Sequence, residues 1–360
     1  MANVSFGSDH KPENDMVKKI AIICVVLFLC ACGTTKTGVS VNQEPQTPEW
    51  VRDPYLKYDR NANVAAIGSG SSREAAEKSA FGNLVAIFGQ SIQVDERVST
   101  SYDQVVRNGA LDDWSEGTAI NNVISTSASL DSLVGAEIGE VWGDNREYYA
   151  VAVLNKAKAR QIYSGLIASN QTIINNLVNI PAAEKNTLDG FARYQLAALV
   201  ADITTSYGNL LSVIGAPAER LKLGDEYRLE AINIAKAIPI SIRVQNDLSG
   251  RVQGAFAKVF SNMGFQSGGS NSRYILDANI ITSVVEFANN PNKWTRIEVN
   301  AYLVDSRQGA VLLPYNYSDR QGHTTQAEAN NRAYAAAERK INEEYSILLN
   351  DYFSQLLPKN

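Results

Sequence analysis

The stretch EVWGDNREYYAVAVL, residues 140–154, decides how the first half of the chain folds. Two candidate strands, at 136–142 and 147–154, flank the residues Gly-Asp-Asn-Arg at 143–146, which are typical of a tight turn. The second run is rich in aromatic and β-branched residues, which favour strands. The sequence therefore predicts a β-hairpin here.

A strand and a helix are predicted upstream of this hairpin. Residues 64–68 form a short apolar run, and Gly68 to Ser72 have the composition of a turn. Ser71 or Ser72 is a suitable N-cap for a helix that begins at Arg73. Apolar residues at helical spacing continue this helix: Ala80, Phe81, Leu84, Val85, Phe88 and Ile92. Residues 118–133 are rich in Ser and Thr and fit either a strand or a helix.

The middle of the chain has helical periodicity. Its three predicted helices span about 162–177, ending before Pro181, then Leu188 to Ile214, capped by Asn186 or Thr187, and Asp225 to Ile238. Helices joined by such short links pack antiparallel, so this part is predicted to be a helical hairpin segment.

The last third again mixes strands and helices. The predicted order is a strand at 240–244, a helix at 251–264 that Gly264 ends, strands at 274–285, 296–304 and 310–317, and a helix from Gln326 to Leu356. The predicted fold class is α+β, with two small α/β domains that contain antiparallel sheets and are joined by the helical segment. The predicted divisions are 1–31 for the upstream residues and signal peptide, 32–47 for a flexible tether, 48–160, 161–238 and 239–360.

Composition excludes several classes of function. The 360 residues are 45% hydrophobic and 20% charged, and the net charge of −5 offers no basic excess for binding nucleic acid. All three cysteines, Cys24, Cys30 and Cys32, lie near the N-terminus, which excludes a disulfide framework through the fold. With His10 and His323 as the only histidines, a zinc site or a Cys–His dyad has almost no residues to use. We expect no metal and no cofactor.

The N-terminal segment is typical of an export signal. Lys18 and Lys19 precede the apolar run 20–29, as in the first two regions of a secretory signal peptide. Even counted through Cys32, the apolar run has only about 13 residues, whereas a membrane span needs about 20. Because residues 1–15 are polar and acidic, Met16 is the expected start of the protein.

The residues that end this run, Leu29-Cys30-Ala31-Cys32-Gly33, resemble a bacterial lipobox. The resemblance implies cleavage after Ala31 and attachment of diacylglycerol to the Cys32 sulfur, followed by acylation of the new N-terminus, for example with palmitate. Two or more acyl chains give a stable membrane anchor. The alternative is a plain cleaved signal peptide with incidental cysteines. No Asp follows Cys32, and by analogy with sorting in enteric bacteria this favours the outer membrane.

Candidate catalytic residues are sparse. The sequence Gly68-Ser69-Gly70 before a helix is a possible anion cradle, but it has no P-loop Lys and is interpreted as a structural turn. His323 has Ser318 and Asp319 in the same predicted loop, yet a lone His in a polar loop is usually solvated. The acidic candidates Asp112-Asp113-Trp114 and Glu343-Glu344 do not identify a pair of glycosidase carboxylates.

Tyrosines are the other feature of the predicted strands. Tyr148, Tyr149, Tyr315 and Tyr317 lie on them, and alternation along a strand turns one residue of each adjacent pair outward. Exposed tyrosines suit a protein contact surface. The other interpretation is that these side chains pack at the rim of a sheet.

Residues 48–160 resemble the Lpp-twenty lipoprotein family in four segments: PEWV, VAAIGSGSS, REAAEKSAFGNLVAIFG and EVWGDNREYYAVAVLNK. A similar domain occurs at the N-terminus of flagellar assembly protein T. The resemblance implies an envelope lipoprotein with an α/β domain and no established enzymatic activity, and it supplies no catalytic residues. The order of elements after residue 239 is similar to the N-terminal domains of TolB-like and curli-secretion-type lipoproteins.

The expected function is that of a non-enzymatic, lipid-anchored lipoprotein of the cell envelope. It would bind or scaffold other envelope proteins, with flagellar or surface assembly as a candidate process, and would face the periplasm or the cell surface. Its expected partners are the membrane and other envelope proteins, not nucleic acid. The alternatives are an envelope hydrolase that acts on glycan and a component of a secretion pore.

Overall fold

The computed structural model describes residues 46–89, 133–144, 146–217 and 220–356. Residues from Thr47 onward belong to one compact unit. In chain order the elements are β1 (Asn63–Gly70), α1 (Arg73–Phe88), β2 (Ala136–Gly143), β3 (Tyr148–Asn155), α2 (Lys156–Val178), α3 (Leu188–Val213), α4 (Gly224–Ala237), β4 (Ile240–Gln245), α5 (Arg251–Asn262), β5 (Tyr274–Val285), β6 (Lys293–Asp305), β7 (Ala310–His323), α6 (Gln326–Lys340) and α7 (Ser346–Gln355). The predicted α+β fold class is confirmed. The ambiguous stretch 118–133 lies outside the described residues except for Leu133, and the predicted domain boundaries stay a prediction.

The first sheet contains the predicted hairpin. Its strands follow the order β1-β3-β2 and are all antiparallel. Helix α1 packs on one face through four buried side chains, those of Ala76, Ala80, Leu84 and Phe88. The Ser72 hydroxyl caps this helix by accepting a hydrogen bond of 3.2 Å from the Ala75 N–H. Trp50 covers part of the opposite face against Ala65, Val151 and Val153.

The prediction of a turn that begins at Gly68 is wrong for residues 68–70. They are not a turn but the last three residues of β1, where they pair with Tyr148, Tyr149 and Ala150 of β3. The two glycines are required by the helix that lies against the strand. A Cβ on Gly68 would lie 2.0 Å from the backbone nitrogen of Ala80, and one on Gly70 would lie 2.7 Å from the Ala75 Cβ. Glycine therefore allows α1 to approach β1 closely.

Helix α3 is the centre of the helical layer. It packs between α2 and α4, and the Thr187 hydroxyl caps its start. By length and composition it is apolar enough to cross a membrane, but 61% of its most apolar window is buried inside this fold. Asn170 of α2 donates a hydrogen bond of 3.0 Å to the buried Thr204 hydroxyl of this helix. The buried hydroxyl of Tyr207, on the same helix, has no hydrogen-bond partner among the described residues.

The second sheet has the order β4-β5-β6-β7. Strands β5, β6 and β7 are antiparallel as predicted, but β4 and β5 are parallel. The sheet is therefore mixed, because α5 carries the chain back across the sheet between β4 and β5. Helices α5 and α6 cover one face.

The end of the chain differs from prediction in two ways. Strand β7 continues to His323 and pairs with β6 along its length, whereas the predicted strand ended at residue 317. The single long helix predicted from Gln326 is interrupted by a π-helical turn at Ile341–Tyr345. The extra residue of this turn keeps both Ile341 and Tyr345 fully buried.

An ion pair of Arg273 and Asp305 joins the start of β5 to the end of β6. Arg273 donates two hydrogen bonds, of 2.9 and 2.7 Å, to one carboxylate oxygen of Asp305, whose side chain is 3% exposed. Burial raises the pKa of Asp305. Hydrogen bonds from Arg273 and from the N–H groups of Arg307 and Gln308 outweigh burial and hold the pKa below its usual range.

We expect Gly68→Ala to lower the free energy of unfolding by about 2 kcal/mol, because the new methyl group meets the backbone of α1. Gly82→Ala is the matched control, since Gly82 lies on the exposed side of α1 with open space around it. That control should raise stability by about 0.5–1 kcal/mol. Urea unfolding followed by circular dichroism measures both. Equal effects of the two substitutions would contradict the close approach.

The Asp305 carboxylate should make folding sensitive to acid. Its pKa is lower in the folded than in the unfolded chain, so its contribution is present above the unfolded pKa of about 3.9 and is lost as pH falls through the folded value. Asp305→Asn should remove this pH dependence and lower the free energy of unfolding at pH 7 by about 3 kcal/mol.

Chemical denaturation between pH 2 and pH 7 measures the effect. The control is Asp277→Asn, because Asp277 is exposed on the same sheet and should leave the pH profile unchanged. A profile for Asp305→Asn that parallels the wild type below pH 4 would show that the ion pair does not control acid stability.

Candidate binding surface

The structure does not group Ser318 and Asp319 with His323 as a catalytic site. Ser318 and Asp319 lie within β7 rather than in a loop, so alternation turns their side chains to opposite faces of the sheet. The Asp319 carboxylate accepts hydrogen bonds from the Tyr317 hydroxyl at 3.1 Å and from the Gln321 amide at 2.6 Å. His323 instead contacts its neighbours at the helix start, with 3.4 Å from its Nδ1 to the Thr325 N–H nitrogen. These residues are therefore not brought together as a nucleophile, base and carboxylate.

The acidic candidates also have other roles or lie elsewhere. Lys340 forms ion pairs with Glu343 at 3.6 Å and with Glu344 at 2.9 Å on the protein surface. Asp112, Asp113 and Trp114 lie outside the described residues, as do Ala31 and Cys32, so the cleavage site and the lipidated cysteine stay predictions. In the described part of the chain, no three His, Cys, Asp or Glu residues are grouped to hold a metal ion.

A pocket of about 130 Å³ lies where α2 and α3 meet the connection after α3. Its lining is Arg160, Ser164, Ile167, Gly208, Leu211, Ala216, Pro217 and Leu221. Arg160 donates a hydrogen bond of 3.1 Å to the carbonyl oxygen of Ile214, so its charge serves to hold the end of α3. The volume is small beside the roughly 300–1,000 Å³ of ligand pockets, and the pocket is not a strong candidate.

The four predicted tyrosines do not form one surface. Tyr315 is buried at 3% exposure, and Tyr317 is half-buried on the same helix-covered face. Burial and the hydrogen bond to Asp319 raise the pKa of Tyr317, which is therefore neutral at physiological pH. Tyr149 donates its hydroxyl to Glu147 at 2.8 Å, and only Tyr148 is exposed. Three of the four tyrosines therefore pack within the fold, and only Tyr148 is available at the surface.

The second sheet has one face that no described helix covers. We call it the open face. A row of four side-chain amides crosses it, one from each strand: Gln245, Asn279, Asn300 and Asn316. We call these four residues the amide row. Successive pairs in this row are register partners, so their side chains point to the same side of the sheet.

Much of the amide row has hydrogen-bonding capacity to spare. Asn279 accepts a hydrogen bond of 2.9 Å from the Asn246 amide. Among the described residues, the structure gives the amides of Asn300 and Asn316 no side-chain hydrogen bond. Each amide offers both a donor and an acceptor, and water occupies these groups when no partner is bound.

Tyr302 lies next to the amide row, whereas Trp294 lies three register rows away on the other side, beyond the ion pair of Arg296 and Glu298. Tyr302 is one register row away, with 42% of its surface exposed, beside Asp277 of β5. At the far end of the sheet, the Trp294 ring lies over Gly322, where a Cβ would be 2.8 Å from the ring. Phe287 meets Trp294 edge-on, with ring centroids 5.2 Å apart. An exposed aromatic ring beside side-chain amides has the composition of a protein contact surface.

Sequence reasoning missed the amide row and Tyr302. The strands were identified, and alternation gives each residue its face once a strand's register is known. The missing information was the register between strands, which places four amides from separate segments beside one another. The signal in the sequence that could have indicated this face was a polar residue at every second position of the predicted strands.

Comparisons with known proteins give limited similarity. No protein-family model matches the chain, and no curated protein matches it either. A secreted protein of Helicobacter pylori aligns over 78% of this chain and 97% of its own, at 14% identity and a TM-score of 0.35.

Two shorter neighbours each align over 33% of this chain and 93% of their own. A Caulobacter crescentus protein provisionally described as a lipoprotein has 18% identity and a TM-score of 0.25. A minor lipoprotein of Acinetobacter baumannii has 13% identity and a TM-score of 0.24. These neighbours are described as secreted proteins or lipoproteins. Membership of the Lpp-twenty family stays a prediction from the sequence.

Proposed function

We propose that this chain is a lipid-anchored, non-enzymatic component of the bacterial cell envelope that binds other envelope proteins through the open face of its second sheet. The observation that carries the binding role is the amide row with Tyr302 beside it. Amides do not titrate at physiological pH, so this surface recognises a partner by hydrogen bonds rather than by transferring protons.

The anchor in this proposal is Cys32, because the lipobox-like residues follow the apolar run directly. Signal cleavage after Ala31 makes Cys32 the first residue of the mature protein and its only cysteine. The fifteen residues 33–47 reach at most about 50 Å when fully extended. The folded part is thus held close to the membrane surface, where its partners are membrane-associated as well.

The finer location follows from the sequence around the anchor. With no Asp after Cys32, sorting by the enteric rule leads to the outer membrane, with the folded part in the periplasm or at the cell surface. The resemblance of residues 48–160 to the Lpp-twenty family and to flagellar assembly protein T supports a structural role. Flagellar or surface assembly is the process that we propose.

Cys32→Ala should abolish incorporation of labelled palmitate and release the protein from the membrane fraction, because the thioether and the mature N-terminus both need that cysteine. Cys30→Ala is the matched control. Cys30 lies two residues upstream and leaves with the signal peptide, so labelling should continue. Metabolic labelling in growing cells, followed by membrane fractionation, distinguishes the two. Unchanged labelling of Cys32→Ala would contradict the anchor.

A photo-crosslinking amino acid at position 302 tests the open face in intact cells. Adducts to other envelope proteins should form at this position and disappear when Asn300 and Asn316 are both replaced by Ala. The matched control is position 148, an equally exposed tyrosine on the first sheet, at 39% against 42% exposure. Equal adducts at both positions, or adducts that survive loss of the amides, would contradict binding through the open face.

A further inference from the structure

Strand β5 has a free edge. The strand spans Tyr274–Val285, but β4 pairs only with its first half, Tyr274 to Asn279. Residues Ile280 to Val285 pair with β6 on one side and with no described strand on the other. Backbone N–H and C=O groups along that side are open to a further strand. We call Ile280–Val285 the free edge.

The chain turns away from the free edge at a specific residue. Asn246, directly after β4, has a φ of 63°, in the left-handed region that non-glycine residues seldom adopt. Its amide donates to Asn279 at 2.9 Å, and its carbonyl oxygen accepts a hydrogen bond of 2.8 Å from the Tyr334 hydroxyl. These contacts hold the turn in place, so the space beside the free edge is kept clear of β4.

Other edges of the same sheet are protected against strand addition. The outer edge of β7 carries Pro314, which cannot donate a ladder hydrogen bond, and the charged residues Asp319 and Arg320. The outer side of β4 is covered where the Ile240 N–H donates to Gln266 at 2.9 Å. The free edge has neither device, and its sequence Ile-Ile-Thr-Ser-Val-Val contains no charge and no proline.

The free edge also exposes apolar side chains on both faces of the sheet. Ile281 is 48% exposed towards the open face, and Val284 is 61% exposed towards the opposite face. At its two ends lie Leu248, which is 92% exposed, and Phe287, which is 40% exposed. An added strand gains main-chain hydrogen bonds from the edge and apolar contacts from these side chains.

We infer that the free edge docks an extended segment of another protein, which adds to the second sheet as a strand beside β5. Six residues of strand span about 20 Å, which sets the length of the segment. A second copy of this chain does not fit in its place. When two free edges pair antiparallel along all six residues, Asn279 of the second copy falls opposite Glu286. Because β4 lies on the same side of β5 and ends at Gln245 beside Asn279, the end of the second copy's β4 would meet the first copy at Glu286.

Charge defines the ends of the docked segment. Asp247 lies after the turn at one end of the free edge and Glu286 at the other, so a neutral stretch is bracketed by two carboxylates. The Asp247 carboxylate accepts hydrogen bonds from the Gln253 N–H at 2.8 Å and from the Ser249 hydroxyl at 3.4 Å. The complementary partner is an uncharged segment of alternating β-branched residues with Lys or Arg at its ends. This inference concerns a different surface from the open face and does not depend on the lipid anchor.

The probe is a fluorescein-labelled peptide with the sequence Lys-Thr-Val-Thr-Val-Thr-Val-Lys, titrated with the full chain in detergent and followed by fluorescence anisotropy. We expect saturable binding that Val284→Lys weakens by about tenfold or more, because a charge then stands at the edge that the peptide must cover. Ile281→Lys provides a second variant on the other face. Val311→Lys is the matched control on β7, where Val311 is 57% exposed, and should bind as the wild type does.

Replacing the terminal lysines of the probe by glutamates should weaken binding, since the free edge is bracketed by carboxylates. Absence of binding, wild-type affinity in both edge variants, or equal weakening by Val311→Lys would overturn the inference. Sedimentation of the full chain tests whether a second copy of the chain binds the free edge instead. A dimer that Val284→Lys abolishes would show a second copy on the free edge and would overturn the choice of a partner peptide. Thermal unfolding of each variant confirms that it is folded.

Discussion

The burial of helix α3 is the constraint on which the rest of the structure depends. Near its start, the Phe191 ring lies 4.7 Å from Phe265 and 5.1 Å from Phe353, beside the second sheet. Near its end, Tyr207 lies 5.6 Å from Tyr163 of α2, which follows directly from the first sheet. Most residues of this helix are buried, and only a narrow polar side that includes Gln195 and Asn209 stays exposed, so the helix must be covered around most of its circumference. The other helices provide that cover, and each sheet presents its helix-covered face to the same continuous core.

This arrangement gives the two sheets different exposure. The first sheet has α1 on one face and the Trp50 segment on part of the other. The second sheet uses one face for α5 and α6, so its amides and Tyr302 are available on the other. An antiparallel or mixed sheet with one wet face needs polar residues there at every second position. The amide row supplies one such position in each of the four strands, with the exposed Tyr302 beside it, and this is the surface that we propose as the binding site for other envelope proteins.

Much of the local structure follows from the sequence. The hairpin around residues 143–146 and the N-caps Ser72 and Thr187 depend on neighbouring residues, and the structure confirms them. Gly68 was misread as part of a turn because its role depends on a helix that approaches it in three dimensions. The parallel pairing of β4 and β5 likewise depends on how the chain crosses the sheet. Both failures arise from contacts between segments distant in sequence, which local propensity does not encode.

Strand β5 links the two proposed interaction surfaces. A segment added at the free edge would lie in line with β4, and its outward side chains would stand beside Ile281 and Ser283. It would thus extend the open face by one strand. A partner that contacts the open face and also donates the segment would make its second contact within the same complex, where the effective concentration is high. The edge contact and the open-face contact would then strengthen one another within a single interface.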